Sequence, residues 1–258
     1  MKAGCALKSF DMKLTSQGLA DIASGTLAHY NDRADDFWAG TRDHDVQQNM
    51  AALLDHIEGA APFKILDFGC GPGRDLAAFK ALGHEATGVD GAERFAEMAR
   101  RHSGCMVWQQ DFLKLDLPPQ HFDGVFANAS LFHVPSQELP RVLRELFTTL
   151  KAGGVLFSSN PRGNNDEGWN RGRYGAYHDI ESWREYVTAA GFAGLTHYYR
   201  PPGLPLEQQP WLASVWRRPG SGRDLKGLVP KPAKAVSIEK MNHAVAVAAG
   251  RRDKASRT

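Results

Sequence analysis

Apolar positions in this chain follow two alternating rhythms. From residue 63 onward, short strand-length apolar runs alternate with segments whose apolar residues fall at helical spacing. Phe63–Phe68, Glu85–Asp90, Cys105–Gln110, Asp123–Asn128 and Val155–Ser159 are predicted strands. Asp123–Asn128 is mostly apolar and reads as buried on both faces. Predicted helices over Asp75–Leu82, Ala92–Arg101, Gln137–Leu150 and Ile180–Ala190 separate or follow these strands, with Gly83 and Gly191 as stop signals. Leu195–Arg200 and Leu212–Arg217 have no helix between them and should pair antiparallel. Upstream, Val46, Met50, Leu53, Leu54 and Ile57 mark an amphipathic helix within residues 43–58, and residues 1–40 read as helices with loops.

Strands separated by helices imply an α/β fold: a doubly wound, seven-stranded, mostly parallel sheet with an antiparallel last strand and helices on both faces. The expected organisation is an N-terminal helical cap (1–42), a central domain (43–218) and a basic, flexible tail (219–258). That tail opens Pro-Gly-Ser-Gly and carries nine Lys/Arg against three Asp/Glu, with a short helix expected over Ser237–Ala249. The whole chain is +2, so the rest is net acidic and offers nucleic acid no general attraction. No run approaches the ~18 apolar residues of a membrane helix. With no secretory signal evident, a cytoplasmic protein is expected. Cys5, Cys70 and Cys105 match no disulfide or zinc spacing and are expected as free thiols. His44 between Asp43 and Asp45 resembles metal ligands in composition only, so no metal is expected.

The chemistry concentrates at Asp67-Phe68-Gly69-Cys70-Gly71-Pro72-Gly73, directly after a strand and before a helix. Glycines there permit a tight turn and close approach of a ligand to the backbone. The dinucleotide fingerprint GxGxxG/A fails, because Arg74 stands at its sixth position, and no Gly-Lys-Ser/Thr follows to make a P-loop. An acid at the strand's end suits a cofactor bearing an ammonium and a sulfonium better than one bearing phosphates.

Ile65-Leu66-Asp67-Phe68-Gly69-Cys70-Gly71-Pro72-Gly73 resembles motif I of the class I S-adenosylmethionine (SAM)-dependent methyltransferases. The resemblance spans roughly residues 28–218. It implies SAM as cofactor, held around Asp67, Gly69, Cys70, Gly71 and Gly73. It also implies Asp90, followed by Gly91, on the ribose hydroxyls, and Asp111-Phe112 at the adenine; Asp111 also reads as a helix cap. Leu150-Lys151-Ala152-Gly153-Gly154 is similar to the family's Leu-Lys-Pro-Gly-Gly before the fifth strand. Similar small-molecule enzymes cover the cofactor with an N-terminal helix, which places Tyr30 and Arg42 toward its carboxylate.

Ligands of open α/β sheets sit beyond the strands' carboxyl ends. The fourth strand ends Asn128-Ala129-Ser130-Leu131-Phe132-His133, which places Asn128 at the cofactor and leaves two readings of His133: a substrate contact or base, and a helix-start histidine packed on the cofactor. The segment after the fifth strand is polar and rich in arginines and aromatics. Asn160, Arg162, Arg173, Tyr174 and Tyr177 are its candidate substrate residues, and the arginines suggest an anion on the substrate. Asn160-Pro161-Arg162 is similar to the Asn-Pro-Pro-Tyr motif of amino-methylating nucleic-acid enzymes, but that motif belongs after the fourth strand. The Pro-rich loop 200–211 is a candidate cover for the substrate. Leu225–Asn242 is similar to the tail of looped-hinge antitoxins, without that family's DNA-binding half. The leading reading is methyl transfer to an O, N or S atom of a small polar metabolite. The alternatives are a macromolecule methyltransferase and a SAM-binding module that acts through a protein partner.

Overall fold

The computed structural model describes residues 13–220. The predicted Ser237–Ala249 helix and the antitoxin-like segment lie outside these residues. Two helices come first, α1 (Ser16–Asp32) and α2 (Ala34–Thr41). The Thr15 side chain caps α1 by accepting the Gly18 N–H at 3.1 Å. Helix α3 is Gln47–Leu54, shorter than the pattern over 43–58 suggested, because Asp45 accepts the Gln47 N–H and the chain leaves helical geometry before Gly59.

The alternating part follows in the predicted order: β1 (Lys64–Phe68), α4 (Arg74–Ala81), β2 (Glu85–Asp90), α5 (Glu93–Ser103), β3 (Met106–Gln109), β4 (Phe122–Asn128), α6 (Leu139–Thr149) and β5 (Leu150–Pro161). Then come β6 (Asp166–Asn170), β7 (Arg173–Tyr177), α7 (Ile180–Ala189), β8 (Ala193–Arg200) and β9 (Trp211–Arg217). The seven-stranded sheet has the order β3-β2-β1-β4-β5-β9-β8. Strand β9 inserts antiparallel between β5 and β8, so the last strand is antiparallel as expected.

Both faces of the sheet are covered. Leu66, Phe68, Val125 and Ala127 point to the side packed by α6 and α7, against Val142, Leu146 and Trp183. The alternate positions Ile65, Phe126 and Phe157 pack with Met50 and Leu53 of α3 and Phe79 of α4. Burial on both faces explains why β4 reads as an apolar run rather than an alternation. A polar triangle is sealed into this core: the Trp183 and Trp216 indole N–H groups both donate to Ser214 Oγ, which pairs with Ser158 Oγ.

The segment read as a polar loop after the fifth strand is instead a hairpin, with β6 and β7 paired antiparallel as a separate two-stranded sheet. It carries almost no apolar alternation, since β6 is largely exposed and the buried stretch of β7 is Tyr174-Gly175-Ala176. The hairpin is positioned from outside. The Tyr174 N–H donates to Thr26 Oγ1 of α1 at 3.0 Å, and Trp169 packs on Gly25.

Helix α4 starts at Gly73, with φ +93°, pressed against α5: a Cβ there would sit 2.7 Å from the Ala99 Cα. Backbone cannot yield to that contact as a side-chain tip can. Gly73→Ala is expected to lower unfolding free energy by at least ~1–2 kcal/mol, the strain of a left-handed alanine alone. A urea midpoint equal to wild type would show that the two helices separate freely.

Candidate functional site

Each glycine of the loop after β1 lies in the left-handed region: Gly69 at φ +76°, Gly71 at +51° and Gly73 at +93°. The loop folds back on the end of β2, with the Gly69 and Cys70 N–H groups both donating to the Val89 carbonyl. Gly69 meets the end of β4 so closely that a Cβ would lie 2.3 Å from Ser130 Cβ. Asp90, at the tip of β2, ties the turn together: Oδ2 accepts the Gly71 N–H and Oδ1 the Ala92 N–H, each at 2.9 Å. Burial raises the Asp90 pKa to about 6, against the pull of the Ala92, Gly71 and Gly91 amides.

Acidic groups accumulate under this loop. Asp67 is buried with Oδ2 unpartnered, and burial followed by the charge of Asp75 pushes its pKa well up. Arg74 bonds directly to Asp75, through two hydrogen bonds of 2.6 and 3.0 Å, offsets part of the charge of Asp67, and turns its remaining arm to the Thr41 carbonyl of α2. A polar chain runs on from Asp75, which accepts from the Asn128 amide; Asn128 Oδ1 accepts from Asn49, and Asn49 Oδ1 from the Tyr198 hydroxyl. Three carboxyl groups against one guanidinium disfavour a pyrophosphate here and suit a cation, whose charge would favour their ionised forms. Cys70 is buried, and burial raises its pKa, so it stays a thiol and is no nucleophile.

Beyond the carboxyl ends of the strands lies a cavity of about 690 Å³. Its floor is the glycine loop, Asp90, Gly91, Asp111, Phe112 and Asn128. Phe112 stacks on Phe68 at 4.2 Å, and the Asp111 side chain accepts the Leu113 N–H and closes a turn; no helix begins there, so Asp111 is not the helix cap that one reading offered. Helices α1 and α2 form the roof. Ile22, Thr26, Leu27 and Tyr30 line it from one face of α1, and Phe37, Trp38 and Thr41 from α2. Arg200, Pro201, Pro202 and Trp211 supply a side wall from the β8–β9 loop.

Tyr30 and His133 meet inside this cavity, their Oη and Nε2 2.7 Å apart. His133 Nδ1 lies 2.6 Å from the Tyr174 carbonyl, which can only accept, so Nδ1 carries the proton. Burial lowers the His133 pKa to about 4 and raises that of Tyr30 to about 12, so both groups are neutral. The Tyr30 hydroxyl therefore donates to Nε2 and keeps its oxygen lone pairs for another donor. Arg173 lines the same end with a buried, unpartnered Nε, and the Ser130 hydroxyl is buried without a partner as well.

Of the residues singled out in the sequence, Gly69, Cys70, Gly71, Asp90, Gly91, Asp111, Phe112, Asn128, Tyr30, His133 and Arg173 converge on this cavity. Others sit elsewhere. Asp67 lies beneath the loop, and Gly73 serves the α4–α5 contact. Arg42 is exposed and pairs with Asp43, while its neighbour Arg74 holds the inward position. Asn160 is buried off the cavity wall; Arg162 lies over Tyr199 and donates to the Leu206 carbonyl, bracing the β8–β9 loop. Tyr174 contributes its carbonyl rather than its ring, and Tyr177 accepts from Asn170. Ile22, Thr26 and Leu27 went unnoticed in the sequence, although they share one face of α1 with Tyr30.

A family described as "Methyltransferase domain" matches residues 65–154, the stretch from β1 into β5 that builds the cavity floor. The matched stretch and the fold are those found in class I SAM-dependent methyltransferases, and they support that family for this chain. The chain is 32% identical over 135 residues to a ubiquinone biosynthesis O-methyltransferase of Idiomarina loihiensis, covering 50% of this chain and 54% of that protein. It is 31% identical over 150 residues to a malonyl-[acyl-carrier protein] O-methyltransferase of Erwinia pyrifoliae, covering 56% of each. The match spans only about half the length of these relatives. In structure it resembles the Burkholderia thailandensis 1,6-didemethyltoxoflavin-N1-methyltransferase solved with its substrate and S-adenosylhomocysteine, at TM-score 0.66 and 22% identity over 81% of this chain and 93% of that one. A [4+2]-cyclase also shares the fold, at TM-score 0.58 and 17% identity.

The family's cofactor, SAM, fits the residues present: a carboxylate-rich floor for its cationic groups, an acid at the tip of β2, and a buried orphan hydroxyl on Ser130. In nitrogen-15 spectra the protein should show His133 with a protonated Nδ1 and a bare Nε2 from about pH 5 to 8, where an unperturbed histidine would titrate. An imidazolium signal near pH 6 would show that the Tyr30–His133 contact does not exist in solution.

Proposed function

We propose that this chain transfers the methyl group of SAM to an O, N or S atom of a small polar metabolite. The observation that carries this reading is one continuous cavity that runs from Asp90 and Phe112 to Tyr30, His133 and Arg173 under a helical roof. Its size falls within the range of small-molecule sites. A roofed cavity suits a compact acceptor better than a nucleic-acid strand or protein surface. The net-acidic body and the absence of an Asn-Pro-Pro-Tyr segment after β4 point the same way. Among the described residues no helix is long and apolar enough to cross a membrane. The thiols Cys70 and Cys105 suit a reducing, cytoplasmic setting.

In this reading Asp90 accepts the ribose hydroxyls, Asp111 and Phe112 flank the adenine, and Gly69 and Gly71 let the cofactor lie on the backbone. Asp75 and Asn128 face its amino-acid end, with Asp67 adding its field from beneath the loop, and Arg74 takes the place assigned to Arg42. When bound, SAM supplies an electrophilic methyl group for in-line displacement. The chain's part is alignment and exclusion of water. Tyr30, whose proton is held by His133 Nε2, accepts a hydrogen bond from the acceptor's O–H, N–H or S–H and so aims its lone pair. His133 acts through Tyr30 as a positioning residue: its lowered pKa makes it a poor proton store at neutral pH.

The test is incubation of the full chain with methyl-labelled SAM and a metabolite extract. Label in small molecules is expected; label only in RNA or protein would overturn the reading. Asp90→Ala is expected to weaken SAM binding by ~1–3 kcal/mol in calorimetry, the cost of losing a hydrogen bond to a charged group. Wild-type affinity should also fall as pH drops through about 6, where Asp90 takes up a proton and loses acceptor strength. That inflection should vanish in Asp90→Asn.

A further inference from the structure

Tyr30, Phe37 and Arg173 wall two cavities at once. On their far side from the glycine loop lies a second recess, of about 510 Å³. Arg33 enters it from the junction of α1 and α2, Arg171 from the turn of the β6–β7 hairpin, and Arg173 from β7, beside His29. Asp36 is the only acid among its lining residues. None of the three guanidiniums forms a salt bridge among the described residues, whereas Arg74, Arg94, Arg141 and Arg217 all do. Arg173 Nε is buried with no hydrogen-bond partner at all. Arg33 and Arg171 are solvent-exposed, but three like charges around one recess repel one another, and with the buried, unpartnered Arg173 Nε they form a site that an anion would complete.

The backbone is built to present them. The turn has positive φ at both central residues, +51° at Arg171 and +87° at Gly172, the signature of a tight hairpin in which asparagine-glycine is favoured. Arginine occupies the first of these positions despite the strain. The turn is seated on α1, since a Cβ on Gly172 would lie 2.7 Å from His29 Nδ1. With Trp169 on Gly25 and the Tyr174 N–H on Thr26, the hairpin is locked at three points to the helix that carries Tyr30.

The geometry points to Arg33, Arg171 and Arg173 as a subsite for an oxyanion, a carboxylate or phosphoryl group, on the metabolite whose methyl-accepting atom lies at Tyr30. This rests on the methyl-transfer reading above. It adds that the acceptor is anionic and spans both cavities, with its charged end near the exposed Arg33 and Arg171. Guanidiniums bind either oxyanion through paired N–H donors, and their field would steer such a substrate to the mouth of the site.

The test uses the full chain saturated with S-adenosylhomocysteine at low ionic strength. Inorganic phosphate and malonate are titrated separately by calorimetry into wild type and into R33E/R171E. Saturable binding of one or both anions to wild type is expected, weakened at least about tenfold in the variant, and the tighter anion names the substrate's group. Both altered residues are exposed and line only the second recess, so S-adenosylhomocysteine affinity should stay within about twofold in the variant. Equal anion binding in both proteins, or none in wild type, overturns the subsite. So does displacement of either anion by short single-stranded RNA, which would assign the arginines to a polymer. Failure of wild type to bind S-adenosylhomocysteine would instead sink the methyltransferase reading, leaving the anion titrations to decide the subsite separately.

Discussion

One buried carboxylate ties the site together. Asp90 accepts the Gly71 amide from the loop after β1 and the Ala92 amide from the loop after β2, so the two turns that form the cavity floor move as a unit. Burial makes that carboxylate costly to ionise, and the amides offset part of the cost. The left-handed glycines follow from this tether. A chain that must turn back onto Val89, pass Ser130 at contact distance and deliver an amide to Asp90 has little room for a Cβ.

The roof is held to this floor by a second set of contacts. Gly91 lets Leu27 of α1 approach so closely that a Cβ would lie 2.7 Å from its methyl carbon. Arg74 reaches from the glycine loop to the last turn of α2, and Tyr30 reaches from α1 to His133 at the end of β4. The hairpin β6–β7 closes the circle, giving a carbonyl to His133 and an amide to Thr26. The cavity is thus enclosed by elements far apart in sequence, and its chemistry depends on their mutual position.

The central alternation of strands and helices was legible because the inner strands β1, β4 and β5 are largely buried on both faces and each helix on one, and burial writes its period into the sequence. The glycine loop was legible because a left-handed backbone narrows the choice of residue. The hairpin was not. Its buried surface is Tyr174-Gly175-Ala176, too small and too short to show a two-residue period, and its position is set by α1, some 150 residues earlier. Arg42 and Arg74 illustrate the same limit. Arg74 adjoins the loop in sequence and Arg42 does not, but it is the packing of α2 that holds Arg74 inward and leaves Arg42 in solvent.

The sequence by itself determined the sheet, the bend after β1 and the acid at the tip of β2, since local backbone geometry and burial dictate residue type at each. Tertiary structure alone decided that Tyr30 donates to His133, that Asn128 joins Asn49 to Asp75, and that three arginines from two distant segments surround one recess. Hydrogen bonds and charge clusters between separate elements leave no periodic trace, because each partner is an ordinary polar residue until the fold brings the other to it.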